Sequence, residues 1–368
     1  MKLRKGTFLW LLVLLLMGLT GCSSSSAPST APSGGTGTGH LVYASVPSAN
    51  TIWGFRISNA AGNFTSIVGS PFPAGSSPGA MLVHPSNQFL YVVNRTEDTV
   101  SLFDINGTVG SLTEVFPRTA TGITPNAMAM NSGGNLLFVL NQISSSISVY
   151  SIKSSNGALA QVSGSPFPTA PNPVGFALSP SGKFLYVVNS NLALVFAYTV
   201  SSAGFLQQIG LPIPVGTGPF AIAIDPAERF VYVGNSQADT LSIFALNSST
   251  GALTEVNGSP FTTGTSPISI VVSLSGQYVY IANQADNDIT AYSIDSTTGF
   301  PTSITGSPFS INGPSLLVSD PSGAFIYVLS QRSVFVNLFT VDNATGGLAI
   351  GPESPSVITV PVGLAVSR

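Results

Sequence analysis

Charge is what this chain has least of. Asp, Glu, Lys and Arg together make up 7% of its 368 residues, against roughly a quarter in an ordinary soluble domain. There is no basic run and the formal charge is -3, which excludes a nucleic-acid partner, because phosphate binding needs clustered Lys and Arg. Cysteine occurs once, leaving an odd thiol rather than a disulfide pair. The two tryptophans, Trp10 and Trp53, cannot supply Trp-Asp repeat signatures, and aspartate boxes and double-glycine kelch marks are missing too. Intrinsic disorder is excluded from the other side, because 44% of residues are hydrophobic and mean hydropathy is +0.42. Those values would also suit a membrane protein. The 38 Gly and 27 Pro instead favour many short strands and turns over spanning helices.

The N-terminus has the three-part plan of an export signal: Lys2, Arg4 and Lys5, an apolar run from Phe8 to Met17, then Leu19-Thr20-Gly21-Cys22. The run is shorter than the roughly 20 apolar residues that span a bilayer. Leu-Thr-Gly-Cys resembles the bacterial lipobox, which implies cleavage after residue 21 and lipidation of Cys22. After Cys22, residues 23–39 are all Ser, Pro, Gly, Ala or Thr, a tether reaching roughly 20 to 25 Å. Ser23 after the cysteine implies the outer membrane by the bacterial sorting rule. The expected organisation is a signal at 1–21, a tether at 22–39 and a domain at 40–368, exported to the cell envelope and held to the membrane by its lipidated N-terminus.

From residue 40 onward one phrase recurs. Its central aromatics are Tyr43, Tyr91, Phe138, Tyr186, Tyr232, Tyr280 and Tyr327, in steps of 46 to 48 residues. A second aromatic follows each after 12 residues: Phe55, Phe103, Tyr150, Tyr198, Phe244, Tyr292 and Phe339. Around both, apolar residues run or alternate as strands do. A glycine six or seven residues later suits a hairpin needing positive φ. Another short strand is led in by Pro78, Pro125, Pro173, Pro219, Pro267, Pro314 or Pro361. Each unit is therefore four strands in about 47 residues, the size of a propeller blade. The uninterrupted apolar second strands fit a sheet buried on both faces. The domain starts on a second strand at Leu41 and ends on a spare first strand at Pro361–Ser367, so the C-terminus is expected to complete the N-terminal blade. The fold class is thus all-β, a seven-bladed propeller closed by pairing of its two termini.

The Tyr-Val-Val-Asn, Tyr-Val-Gly-Asn and Tyr-Ile-Ala-Asn strand ends, the Pro-Ser-Gly turns and the repeat length resemble the seven-bladed propellers of the YVTN-repeat and 6-phosphogluconolactonase-like (lactonase, cycloisomerase 2) group. The resemblance covers residues 40–368 and implies a candidate reaction, hydrolysis of a sugar-type lactone. Function still has to be argued from a site.

Ligands of propellers gather where the connections surround the central funnel. The residues after the leading prolines, Gly79, Asn126, Val174, Phe220, Ile268, Ser315 and Val362, are expected to line it, and none is titratable. Lactone hydrolysis needs a base and an oxyanion partner. His40 precedes the first strand and His84 falls at a turn on the opposite face. The loops of the functional face hold Arg95, Glu97, Asp98, Asp239, Asp286, Asp288 and Arg332, with Arg118 nearby. A catalytic set would be Arg95, Glu97, Arg118 and Arg332; the alternative is solvated loop charge. Asp286-Asn287-Asp288 offers too few oxygens for calcium, so no metal or cofactor is expected. The strand-ending Asn94, Asn141, Asn189, Asn235 and Asn283 read as structural. The Gly-Ser-Pro-Phe repeats read as edge-blocking segments beyond the outer strand, with their phenylalanines between blades. Two functions remain open: a binding module for a small molecule, saccharide or envelope protein, and a secreted lactonase.

Overall fold

Each apolar phrase becomes the second strand of a four-stranded antiparallel blade, and in all seven blades every residue of that strand is buried. The computed structural model describes residues 39–58 and 62–368; the export signal, Cys22 and the tether through residue 38 lie outside the described residues. Seven sheets follow one another along the chain, each ordered inner, second, third and outer strand. The first is built from both termini: Gly363–Val366 is its inner strand, pairing Tyr43 with Ala365 and Ala44 with Leu364.

Blades bind one another chiefly through side chains. Tyr43 and Ile52 of the first blade pack with Leu90, Val92 and Phe103 of the second, and similar clusters repeat around the ring. The central tyrosines add a polar latch. Tyr43, Tyr91, Tyr186 and Tyr280 each donate from a buried hydroxyl to a hairpin carbonyl of the next blade, at Gly110, Gly157, Gly251 and Gly346, over 2.7 to 3.0 Å. The hairpin glycines seen in the sequence therefore do two jobs, turning the chain at positive φ and presenting a carbonyl to the neighbour.

The strand-ending asparagines are fully buried, and their usual partners are not turn backbone. Asn94, Asn141 and Asn235 donate to hydroxyls five and seven residues on, for example Thr99 at 3.0 Å and Ser101 at 2.9 Å. Only Asn189 takes a backbone N–H of its own turn, that of Leu192.

The Gly-Ser-Pro-Phe segments lie inside the outer strand's path rather than beyond it. Leu253–Glu255 and Phe261–Thr262, for instance, both pair with Thr240–Leu246. The intervening serine restores a lost ladder bond by accepting a third-strand N–H: Ser70 from Gly54, Ser165 from Val149, Ser259 from Ile243 and Ser307 from Ala291. Phe72 and Phe167 pack in the interblade clusters, as expected.

Candidate functional site

The inner strands run down the axis, so the first residue after each leading proline meets the mouth of the central cavity. All seven expected positions, Gly79, Asn126, Val174, Phe220, Ile268, Ser315 and Val362, line one cavity of about 570 Å³, within the range that suits small ligands. Two polar side chains from the loops join them, Arg95 and Gln142. Both directly follow a strand-ending asparagine, so their place was readable from spacing: the equivalent residues elsewhere are Pro47, Ser190, Ser236, Gln284 and Gln331, and only Arg95 is charged. The expectation of a funnel without titratable residues is corrected here, because it counted inner-strand positions and omitted the loop residue that folds over them. Gly79 makes room for this: a Cβ there would stand 3.2 Å from Arg95 Cδ and 3.3 Å from Val93.

Polar and apolar residues divide the ring. Arg95 with Gly79 comes from the second blade and Asn126 with Gln142 from the third; Val174, Phe220 and Ile268 come from the fourth, fifth and sixth. Arg95 is exposed and forms no ion pair among the described residues. The Asn126 amide donates to the Val174 carbonyl at 3.3 Å, while its Oδ1 is buried without a partner. No carboxylate or imidazole lines the cavity.

The acidic loop residues have other work. Seven positions after the central aromatic, Asn50, Asp98, Asp239 and Asn287 accept the N–H before the next blade's leading proline, from Ser77, Thr124, Ser266 and Gly313, at 2.7 to 2.9 Å. One position earlier, Glu97 accepts from the backbone and hydroxyl of Ser76, and Asp286 from Thr265 N–H. Arg118 then bridges Glu97 at 2.7 Å and Glu114 at 2.7 and 3.1 Å. Burial alone would raise the Glu97 pKa, but the two Ser76 bonds and then the Arg118 charge outweigh it and hold the carboxyl below its usual value. Arg118 is itself pushed up, first by its bond to Glu114. Burial raises Asp288, which accepts from Asn283 at 2.7 Å.

The four residues of the sequence-derived catalytic set are thus distributed among three places. Arg95 lines the central cavity, Glu97 and Arg118 form a closed network, and Arg332 lines a separate cavity of about 460 Å³ with Asn312, Ser330 and Glu353. The histidines serve the opposite face. His84 Nδ1 accepts from Ser86 N–H, so Nε2 carries the proton and donates to Gly134 O at 2.9 Å, tying two turns together. His40 Nε2 lies 3.8 Å from Asp320. Among the described residues no cluster of three or more His, Cys, Asp or Glu could hold a metal ion.

The sequence matches the family described as "Lactonase, 7-bladed beta-propeller" over residues 50–176, 167–268 and 257–362. Among solved structures, the periplasmic gluconolactonase of Pseudomonas aeruginosa is similar at 18% identity and a TM-score of 0.73, covering 90% of this chain and 99% of that one. A Bacteroides uniformis protein provisionally named a 6-phosphogluconolactonase aligns at 17% identity and a TM-score of 0.74, over 89% of this chain and 98% of that one. A Lactobacillus plantarum protein aligns at 19% identity and 0.75, over 90% and 99%. No curated protein sequence matches.

Proposed function

Because the chain belongs to the lactonase family of seven-bladed β-propellers, we propose that it serves that fold as a binding module, holding a small anion in the central cavity against Arg95. The observation that carries this reading is the lining itself. It offers one unpaired cation with amide and hydroxyl groups beside it, and no carboxylate or imidazole to activate water. Among the loop carboxylates that could have supplied a base, Glu97, Asp98, Asp239 and Asp286 already cap backbone N–H groups, and Asp288 accepts from Asn283.

Export on a lipid anchor at Cys22 completes the proposal. The domain's first strand starts at Leu41 beside Ser367 and the Asp320 turn, the face opposite the cavity mouth. Metabolic labelling with palmitate should mark the wild-type protein and fail on Cys22→Ser; equal labelling would remove the anchor from the account.

Catalysis is tested with a panel of aldonolactones, the 6-phospho form included. The reading expects hydrolysis no faster than the uncatalysed rate, and no change with Arg95→Ala or Arg332→Ala. Clean turnover lost in Arg95→Ala would replace the binding module by a lactonase.

A further inference from the structure

The cavity's two-sided lining says which anion it takes. In a seven-membered ring the position opposite the second blade falls between the fifth and sixth. Arg95 therefore faces Phe220 and Ile268 across the axis, and Val174 extends that apolar wall. Phe220 is 46% exposed, a large apolar surface left open toward the cavity instead of buried in a blade. Further down the inner strands come Met81, Met128, Leu316 and Val318. Thioethers of this kind make favourable contacts with aromatic rings. The polar sector is small: one guanidinium, the Gln142 and Asn126 amides and the Ser315 hydroxyl.

We propose that the cavity selects a monocarboxylate carrying an apolar ring, aromatic or alicyclic, over polyhydroxylated or phosphorylated sugar acids. This rests on the preceding reading that the central cavity is the ligand site, and it adds the ligand's chemical class. A carboxylate meets the Arg95 fork with two parallel N–H···O bonds. The ring lies between the Phe220–Ile268 wall and Met128. A sugar acid would turn several hydroxyls toward Val174, Phe220 and Ile268, where they find no partner, and each unmade bond costs roughly tenfold in affinity. A phosphomonoester would bring nearly two negative charges to a single cation.

Titration calorimetry on the full-length protein tests this with phenylacetate, cyclohexanecarboxylate, gluconate and 6-phosphogluconate. The two ring acids are expected to bind at least about tenfold more tightly than either sugar acid. Arg95→Ala should weaken the ring acids about tenfold or more. Phe220→Ser, at an exposed position, should weaken them severalfold and leave gluconate unchanged. Each variant is first shown to melt like the wild type. Sugar acids that bind as tightly as the ring acids, still through Arg95, would overturn the proposed class and leave the binding site standing. Ring acids that give no heat at millimolar concentration, or whose binding ignores Arg95→Ala, would overturn both.

Discussion

Deleting residues 358–368 is expected to destabilise the protein by on the order of 5 to 10 kcal/mol, comparable with the whole stability of a typical domain. The segment supplies the inner strand of the first blade, pairing four residues with Leu41–Val46. It buries Leu364 and Ala365 and adds a bond from Leu41 N–H to the Ser367 hydroxyl at 2.7 Å. Asn87 clasps the backbone of Arg368 in both directions, at 2.7 and 2.8 Å. Without it, a fully buried strand becomes an open edge facing the cavity. Gly363 shows how closely the closing strand is seated, since a Cβ there would collide with the Gly79 carbonyl. Thermal unfolding followed by circular dichroism should shift down by about 7 to 14 °C. Leu364→Ala alone should cost about 2 to 5 kcal/mol. An unchanged melt after deletion would refute closure by paired termini.

A second large effect is expected at high pH. Burial pushes the hydroxyls of Tyr43, Tyr91, Tyr186, Tyr232, Tyr280 and Tyr327 well above their ordinary value of 10.0, and at Tyr327 the Asp320 carboxylate adds to the rise. Native tyrosines then keep their protons where unfolded ones lose them, so their contribution is complete below pH 10 and disappears as pH rises above it. Each costs about 1.4 kcal/mol per pH unit beyond that point, and six together roughly 8 kcal/mol per unit. Unfolding should therefore be abrupt, within about one to two units above pH 10. Tyrosinate absorbance and circular dichroism should change together. Smooth ionisation near pH 10 with the β-sheet signal intact would contradict the buried latch.

The blades were legible because burial on both faces writes itself into sequence as an apolar run, and a closed ring repeats it at nearly constant spacing. The seven cavity-lining positions followed from the same spacing, since a leading proline fixes where each inner strand begins. Loop side chains were harder to place. Nothing local distinguishes a carboxylate that caps a backbone N–H, as Asp98 and Asp239 do across blades, from one left for chemistry. The pattern appears only when residues six and seven positions after each aromatic are aligned and their distant partners are known. Arg95 is named among the loop residues from sequence, but its turn over the inner strands depends on the absence of a side chain at Gly79, 16 residues earlier. The Gly-Ser-Pro-Phe segments were misplaced because proline was read as ending the outer strand, whereas the preceding serine carries its bonding across the break.

The proposed anion is held at Arg95 within the ring of seven lining residues. A crystal structure of the protein soaked with phenylacetate tests it most directly. The carboxylate is expected within about 3 Å of the Arg95 guanidinium, with the ring against Phe220 and Ile268. A ligand seated beside Arg332, or anywhere that leaves Arg95 untouched, would contradict it.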